Sequence, residues 1–283
     1  MKNTDLVEAV ESAARQGLLS KDAMSNIVEW LTKPAYRDSV EDIAKLVAER
    51  DWATLEDSFY TVLRFGTGGR RGPRGVGPNR INPRTIAESA RGLADWIIVK
   101  HALRDRRAGE PFHTRPLDGT VVIACDTRHA SQELAVVCAE VTAAAGLTAL
   151  IYESFRPTPQ LSFTVRMHHA SAGIVISASH NPRTDNGFKA YGSDGGQLVP
   201  PYDAEVLEAV ERTMSREIPR LALEEGLQDG RIRWLGEAED DAYREAVLKT
   251  SHSEHRDARI VYTPLHGAGI RSVPPVLDAA GFH

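Results

Sequence analysis

Residues 119–177 alternate short apolar runs with stretches of helical length, and this alternation limits the chain to few architectures. The first run is Val121-Val122-Ile123-Ala124-Cys125, ended by Asp126-Thr127-Arg128. A helix follows, which Ser131 can cap and Gly146 can stop. Leu147–Tyr152 is a second run, Pro157-Thr158-Pro159 a turn, and Leu161, Val165 and Met167 belong to a short helix. Gly173–Ser177 is a third run. Runs without polar alternation suit strands buried on both faces. The fold class expected is therefore α/β, a mostly parallel mixed sheet flanked by helices. Ligands of such sheets bind beyond the carboxyl ends of the strands, here the loops Asp126–Arg128 and Ala178–Lys189.

The flanking segments read differently. Residues 1–56 carry helical spacings: Leu6, Val7, Val10 and Ala14, then Ile27, Val28 and Leu31 behind a Ser20 cap, then Ile43, Leu46 and Val47 behind a Ser39/Asp42 capping box. They predict an N-terminal helical extension. Asn82-Pro83 reads as an N-cap with proline in the first turn of a helix burying Ile86, Ala90, Leu93, Trp96 and Ile97. Residues 103–118 read as a polar surface loop. The core domain is expected over 57–205, an acidic helix and linker over 206–230, and an incomplete second α/β domain over 231–283. That last segment offers runs at Arg231–Leu235 and Arg259–Thr263, a helix around Ala242–Leu248 and another over Ser272–Ala280.

Composition removes several classes of function. With 42% hydrophobic and 26% charged residues, the 283-residue chain is neither disordered nor fibrous. A net charge of -5 argues against a nucleic-acid partner. Two cysteines, Cys125 and Cys138, give no disulfide framework and read as buried fillers. No apolar stretch is long enough to span a bilayer, so no membrane partner and a cytoplasmic location are expected.

Two segments carry candidate chemistry. Ser177-Ala178-Ser179-His180-Asn181-Pro182 follows a buried strand, which exposes a serine at the ligand edge, and Asn186-Gly187-Phe188-Lys189 brings an ammonium back towards it. The same residues would also make an ordinary polar turn. Gly66–Ile86 holds six glycines, five arginines and no acid. Glycines let backbone approach an anion and arginines fork onto phosphate oxygens, so an anionic partner is expected there, although a basic surface loop would look alike. Asp126 and Arg128 can pair at the strand end.

Several blocks then resemble one family, in order along the chain: FGTGGRRG (Phe65–Gly72), GPNRINPRTI (Gly77–Ile86), VVIACDTRHAS (Val121–Ser131), GIVISASHNP (Gly173–Pro182), NGFKAYGSDGGQ (Asn186–Gln197) and VYTPLHGAG (Val261–Gly269). They are similar to the α-D-phosphohexomutases, in the phosphoglucomutase/phosphopentomutase branch, whose N-terminal half the chain resembles. The resemblance implies a four-domain fold around one cleft and phosphoryl transfer between a serine and a phosphosugar. Ser179 would be the phosphoserine, and its phosphate a ligand of Mg²⁺. Lys189 and Arg71 would be the acid/base and electrostatic residues, His180 would assist, and Arg70 and Asn181 would bind phosphate or substrate. A sugar bisphosphate such as glucose 1,6-bisphosphate would be the activator. Ser177, Arg70 and Gly192 depart from the family, which usually has threonine, leucine and an aromatic residue there. The DGDxDR metal loop is missing, and Asp240-Asp241 does not replace it. The C-terminal domains that complete the site are therefore expected beyond this chain. Two alternatives remain: a phosphosugar-binding fragment without turnover, and a serine hydrolase using Ser179 and His180, for which G-x-S-x-G is lacking.

Overall fold

The computed structural model describes every residue except Met1, Phe65, Thr67, 109–118, Glu254 and His283, with the side chains of 101–108 also outside the description. Asn3–Arg15 (α1), Lys21–Thr32 (α2), Val40–Glu49 (α3) and Trp52–Phe59 (α4) form a helical layer with its own core. The expected apolar faces are inside: Leu6, Val10, Ile27, Leu31, Ile43 and Val47 are buried, and Trp30 stacks on Tyr36 with ring centroids 4.5 Å apart. Ser20 Oγ accepts from Ala23 N as expected. Ser39 does not cap, because Pro34–Ser39 is a 3-10 turn that runs into α3. Asp51 instead caps α4, accepting from Thr54 N at 3.1 Å, so the helical layer extends to Phe59 rather than 56.

The sheet is assembled from Gly69–Pro73 (β1), Thr120–Cys125 (β2), Thr148–Tyr152 (β3), Ala172–Ile176 (β4), Asp185–Gly192 (β5) and Ile232–Leu235 (β6). Its order is β1-β5-β4-β2-β3-β6. β4, β2, β3 and β6 run parallel, while β5 is antiparallel to both β4 and β1. The mixed α/β sheet is the one expected from the apolar runs. Alternate residues supply two cores. Val121, Ile123, Cys125, Ile174, Ile176 and Phe188 face Pro83–Ala108 (α5) and Ser131–Ala144 (α6). Val122, Ala124, Val175 and Tyr191 face Thr158–Met167 (α7) through Leu161 and Val165. Each valine, leucine, isoleucine and phenylalanine among them stabilises by about 1.5–3 kcal/mol on burial. Met167 is at the exposed end of α7. Asn82 caps α5, accepting from Thr85 N at 2.9 Å. Trp96 is only partly buried and donates from Nε1 to Glu205 at 2.6 Å.

Four expectations change beyond residue 102. Within 103–118, the backbone to Ala108 continues α5 and 109–118 lie outside the described residues. Tyr202–Glu211 (α8) buries Val206, Ala209 and Val210, and Leu223–Asp229 (α9) caps the sheet edge, so 206–230 is packed structure rather than a linker. β6 pairs with β3 instead of opening a second unit at 231. Without it β3 would expose an unpaired row of N–H and C=O groups. Glu237–Leu248 (α10) and Val273–Ala279 (α11) follow. Arg259–Thr263 is unpaired and not a strand; among the described residues no strand lies beside it, and Val261 is 97% exposed.

Candidate active site

The Ser179 loop begins where β4 ends. Ser177 N still donates to Gly187 O at 2.9 Å, so the turn leaves the sheet tethered to β5. Ser179 then has φ 59°, in the left-handed region that side chains disfavour. Its N–H donates to Ser177 Oγ at 3.0 Å. Asn181 N donates to Ala178 O at 3.1 Å, and Asn181 Nδ2 to Asp185 Oδ2 at 2.9 Å. Asn181 therefore closes the loop on itself, and its side-chain amide is committed to that task rather than turned to a ligand. Arg128, from the loop after β2, pairs with Asp126 at 3.1 Å and reaches across to the carbonyls of this loop.

Strand alternation decides which basic residues meet the serine. On β5, Phe188 enters the core against α5 and Lys189 takes the opposite face, where its Nζ donates to Ser179 Oγ at 3.3 Å. Burial first, and the Arg71 charge second, hold the Lys189 ammonium below its ordinary 10.5; Arg128 adds to this and Asp126 opposes it. On β1, Arg71 lies opposite Gly187 and shares the Lys189 face. It is exposed and makes no hydrogen bond or ion pair among the described residues. A Cβ on Gly187 would stand 2.6 Å from Arg70 O and 2.7 Å from Ser177 O. Glycine at this position is what lets β1 approach the serine loop.

Arg70 is a correction. Register places it opposite Phe188, facing α5, and it is 2% exposed. It donates to Glu88 and to Thr85 O, each at 3.4 Å, while its Nε has no partner. Burial pulls its guanidinium below the ordinary value and Glu88 opposes that pull. It points away from Ser179 and cannot meet a phosphate there. The basic segment as a whole is also less available than its composition suggests. Arg80 pairs with Asp57 and Arg84 with Glu88, which leaves Arg71 and Arg74 without ion pairs among the described residues. His180 is exposed beside Ser179 and makes no side-chain hydrogen bond among the described residues, so it does not pair with Ser179 as a hydrolase would require.

The expectation gives this chain one Mg²⁺ ligand, a phosphate on Ser179, and not a cage of its own. The Lys189 ammonium is on Ser179 Oγ and the Arg128 guanidinium on the Ser179 carbonyl, and the Asp126 carboxylate is taken by Arg128 and Ser131. Among the described residues no group of three His, Cys, Asp or Glu side chains could hold a metal ion. Six oxygens in a near-octahedral shell are not available from these residues.

A serine on a strained turn, with a lysine on its oxygen and an arginine on the same face, thus stands at the carboxyl edge of an α/β sheet. Residues 62–217 match the family model for phosphoglucomutase/phosphomannomutase, alpha/beta/alpha domain I, and the chain belongs to that family. Among curated relatives, a phosphoglucomutase of Staphylococcus saprophyticus subsp. saprophyticus is 33% identical over 92% of this chain and 43% of its own length. One of Staphylococcus haemolyticus is 35% identical over 80% of this chain and 39% of its own. The chain thus spans about two fifths of the relatives it matches. A Thermus thermophilus protein described as a phosphomannomutase superposes with a TM-score of 0.53 at 25% identity, over 67% of this chain and 36% of that one. Among the described residues no helix is long and apolar enough to cross a membrane.

Proposed function

We propose that this chain carries the phosphoserine side of a phosphosugar mutase site, with Ser179 as the phosphoryl carrier. The reaction would move phosphate between the 1-position and the 6- or 5-position of a hexose or pentose phosphate, through a sugar bisphosphate, in cytoplasmic carbohydrate metabolism. The observation that supports it most is the 3.3 Å contact from Lys189 Nζ to Ser179 Oγ. In the forward half, a hydroxyl oxygen of the sugar phosphate attacks the phosphorus on Ser179 and gives up its proton to water. The P–Oγ bond breaks and Lys189 gives a proton to the leaving oxygen. The sugar bisphosphate reorients. Ser179 Oγ then attacks the other phosphoryl group as Lys189 takes the proton back; the bond from phosphorus to the sugar oxygen breaks, and that oxygen leaves as a hydroxyl with a proton from water. An ammonium held below its ordinary range suits both steps. Arg71 supplies positive charge to the transferring group, whose transition state is loose and rich in negative charge. His180 is proposed to assist at the exposed side of the loop.

The sugar-selecting contacts, and any Mg²⁺ ligands besides a phosphate on Ser179, would come from outside the described residues. The test is incubation with glucose 1,6-bisphosphate followed by peptide mass spectrometry. Phosphate at Ser179, lost in Ser179→Ala, is the expected result. Phosphate at another residue, or near-normal mutase turnover of Ser179→Ala in a full-length background, rejects it. Turnover separates a mutase from a binding fragment that only holds the phosphosugar.

A further inference from the structure

We infer that Arg128 is the positioning residue of the Ser179 loop, holding the serine through four main-chain carbonyls; this rests on Ser179 being the phosphoryl carrier. A guanidinium has five N–H donors in a rigid planar fork. Here all five are used. Nε donates to Asp126 Oδ2 at 3.1 Å. One terminal nitrogen donates to Pro182 O at 2.6 Å and Asp185 O at 3.2 Å. The other donates to Ser179 O at 2.9 Å and Asn181 O at 2.7 Å. The acceptors are both ends and the middle of one loop, so the fork sets the curvature of the whole turn.

The base of the fork is itself held. Asp126 Oδ1 accepts from Arg128 N at 3.0 Å and from Ser131 Oγ at 2.7 Å, while Asp126 N donates to Ile176 O at 3.0 Å. Asp126 thereby joins the ends of β2 and β4 and the first residue of α6. Arg128 and Asp126 side chains are 12% and 19% exposed, which removes this pair from the class of loose surface ion pairs. The fork also accounts for the backbone of Ser179. A non-glycine residue keeps a left-handed φ only where its surroundings over-determine it. With its carbonyl on Arg128 and its hydroxyl on Lys189, Ser179 is held from two sides. Arg128 touches no reacting atom in this arrangement; it acts through the loop. Lysine could not replace it, being a point charge with three donors and no fork.

The experiment compares the chain with Arg128→Lys, Arg128→Ala and, as a charge control in the same loop, Arg183→Ala. Amide hydrogen exchange by mass spectrometry is read over 177–186 and over the strands. Both Arg128 variants are expected to exchange faster, by about tenfold or more, across 177–186 only, and Arg183→Ala to match the parent. In parallel, phosphate incorporation at Ser179 is measured against glucose 1,6-bisphosphate concentration. The maximal rate is expected to fall by up to about a hundredfold in both Arg128 variants, with the half-saturating concentration unchanged. Unchanged loop exchange in Arg128→Ala overturns the inference. So does faster exchange throughout the sheet in both Arg128 variants, which would make Arg128 a folding residue. A parent chain phosphorylated at another residue contradicts Ser179 as carrier and leaves the exchange result to judge the clamp alone.

Discussion

The proposed reaction asks Lys189 to hold a proton loosely, and its surroundings favour this by withdrawing water and adding the like charge of Arg71. The pH at which its amine reacts with an acylating reagent, followed by peptide mass spectrometry, should have a midpoint below 10.5; a midpoint at or above that value refutes the arrangement. The stability consequence has a definite sign. The folded chain binds this proton more weakly than the unfolded chain, so protonated Lys189 destabilises the fold. The cost is complete below the folded value and disappears as pH rises towards 10.5. Lys189→Met should therefore melt at or above the parent at neutral pH, and the gap should close in alkaline buffer. Glu88 makes the opposite case. It is the carboxylate between two inward-facing arginines, Arg70 and Arg84. Glu88→Gln leaves a buried cation uncompensated and should cost about 3–5 kcal/mol in urea denaturation. Arg70→Leu should cost much less, since Arg84 still pairs Glu88. Equal costs would mean that the pairing is not what holds this site. The nearness of Ser179 and Lys189 was readable because both follow from the end of one buried strand and the return of the next to the same sheet edge. Arg70 misled because two adjacent arginines in a glycine-rich string give no sign of the pleat that sends one outward and the other inward.

Elements divide in the same way. The runs that became β2, β3 and β4 and the helices between them were legible, because their apolar residues are continuous and their neighbours in space are neighbours in sequence. β1 was not. Gly-Arg-Arg-Gly-Pro has no β-branched residue, and its strand character comes wholly from docking on β5. β6 was assigned to the wrong unit since its partner β3 lies far back in the chain, with two other strands and several helices between them. Arg259–Thr263 has strand-like residues but no strand to join among the described residues, and pattern alone cannot supply one. The β1–β5 junction depends on Gly187. Gly187→Ala places a methyl group 2.6 Å from Arg70 O, and backbone cannot move aside as a side-chain tip would. Overpacking of this kind should cost about 1–3 kcal/mol and raise amide exchange in β1 before β4. A loss of stability under about 0.5 kcal/mol, the ordinary range for a surface change, would show that the strands have room to part.

Across the whole molecule, the helical layer and the sheet keep separate apolar cores and meet through a polar seam. Arg84 is its centre: it bonds Glu88 at 3.0 Å, donates to Ala35 O at 3.2 Å and Arg216 O at 2.8 Å, and lies 4.8 Å over the Tyr36 ring. Tyr36 OH in turn accepts from Ser215 N at 3.0 Å. Arg84→Met should lower stability by about 1–3 kcal/mol, because the Ala35 and Arg216 carbonyls lose their donor and the Tyr36 ring its cation, while Arg70 still pairs Glu88. Limited proteolysis should then cut first between the helical layer and β1. Cleavage that starts elsewhere, with stability unchanged, would show the seam to be held by something other than this arginine. The sheet order described above also has a consequence in time. Arg71 pairs with Gly187, roughly 115 positions later, so at ~5–20 residues per second a ribosome would spend about 6–23 s between them. For that interval the strand bearing Arg71 has no partner to hydrogen-bond, while the helical layer ahead of it is already complete in chain and free to collapse. The half-site thus closes late in synthesis, and any nascent-chain binder that shields basic, glycine-rich segments would meet it open.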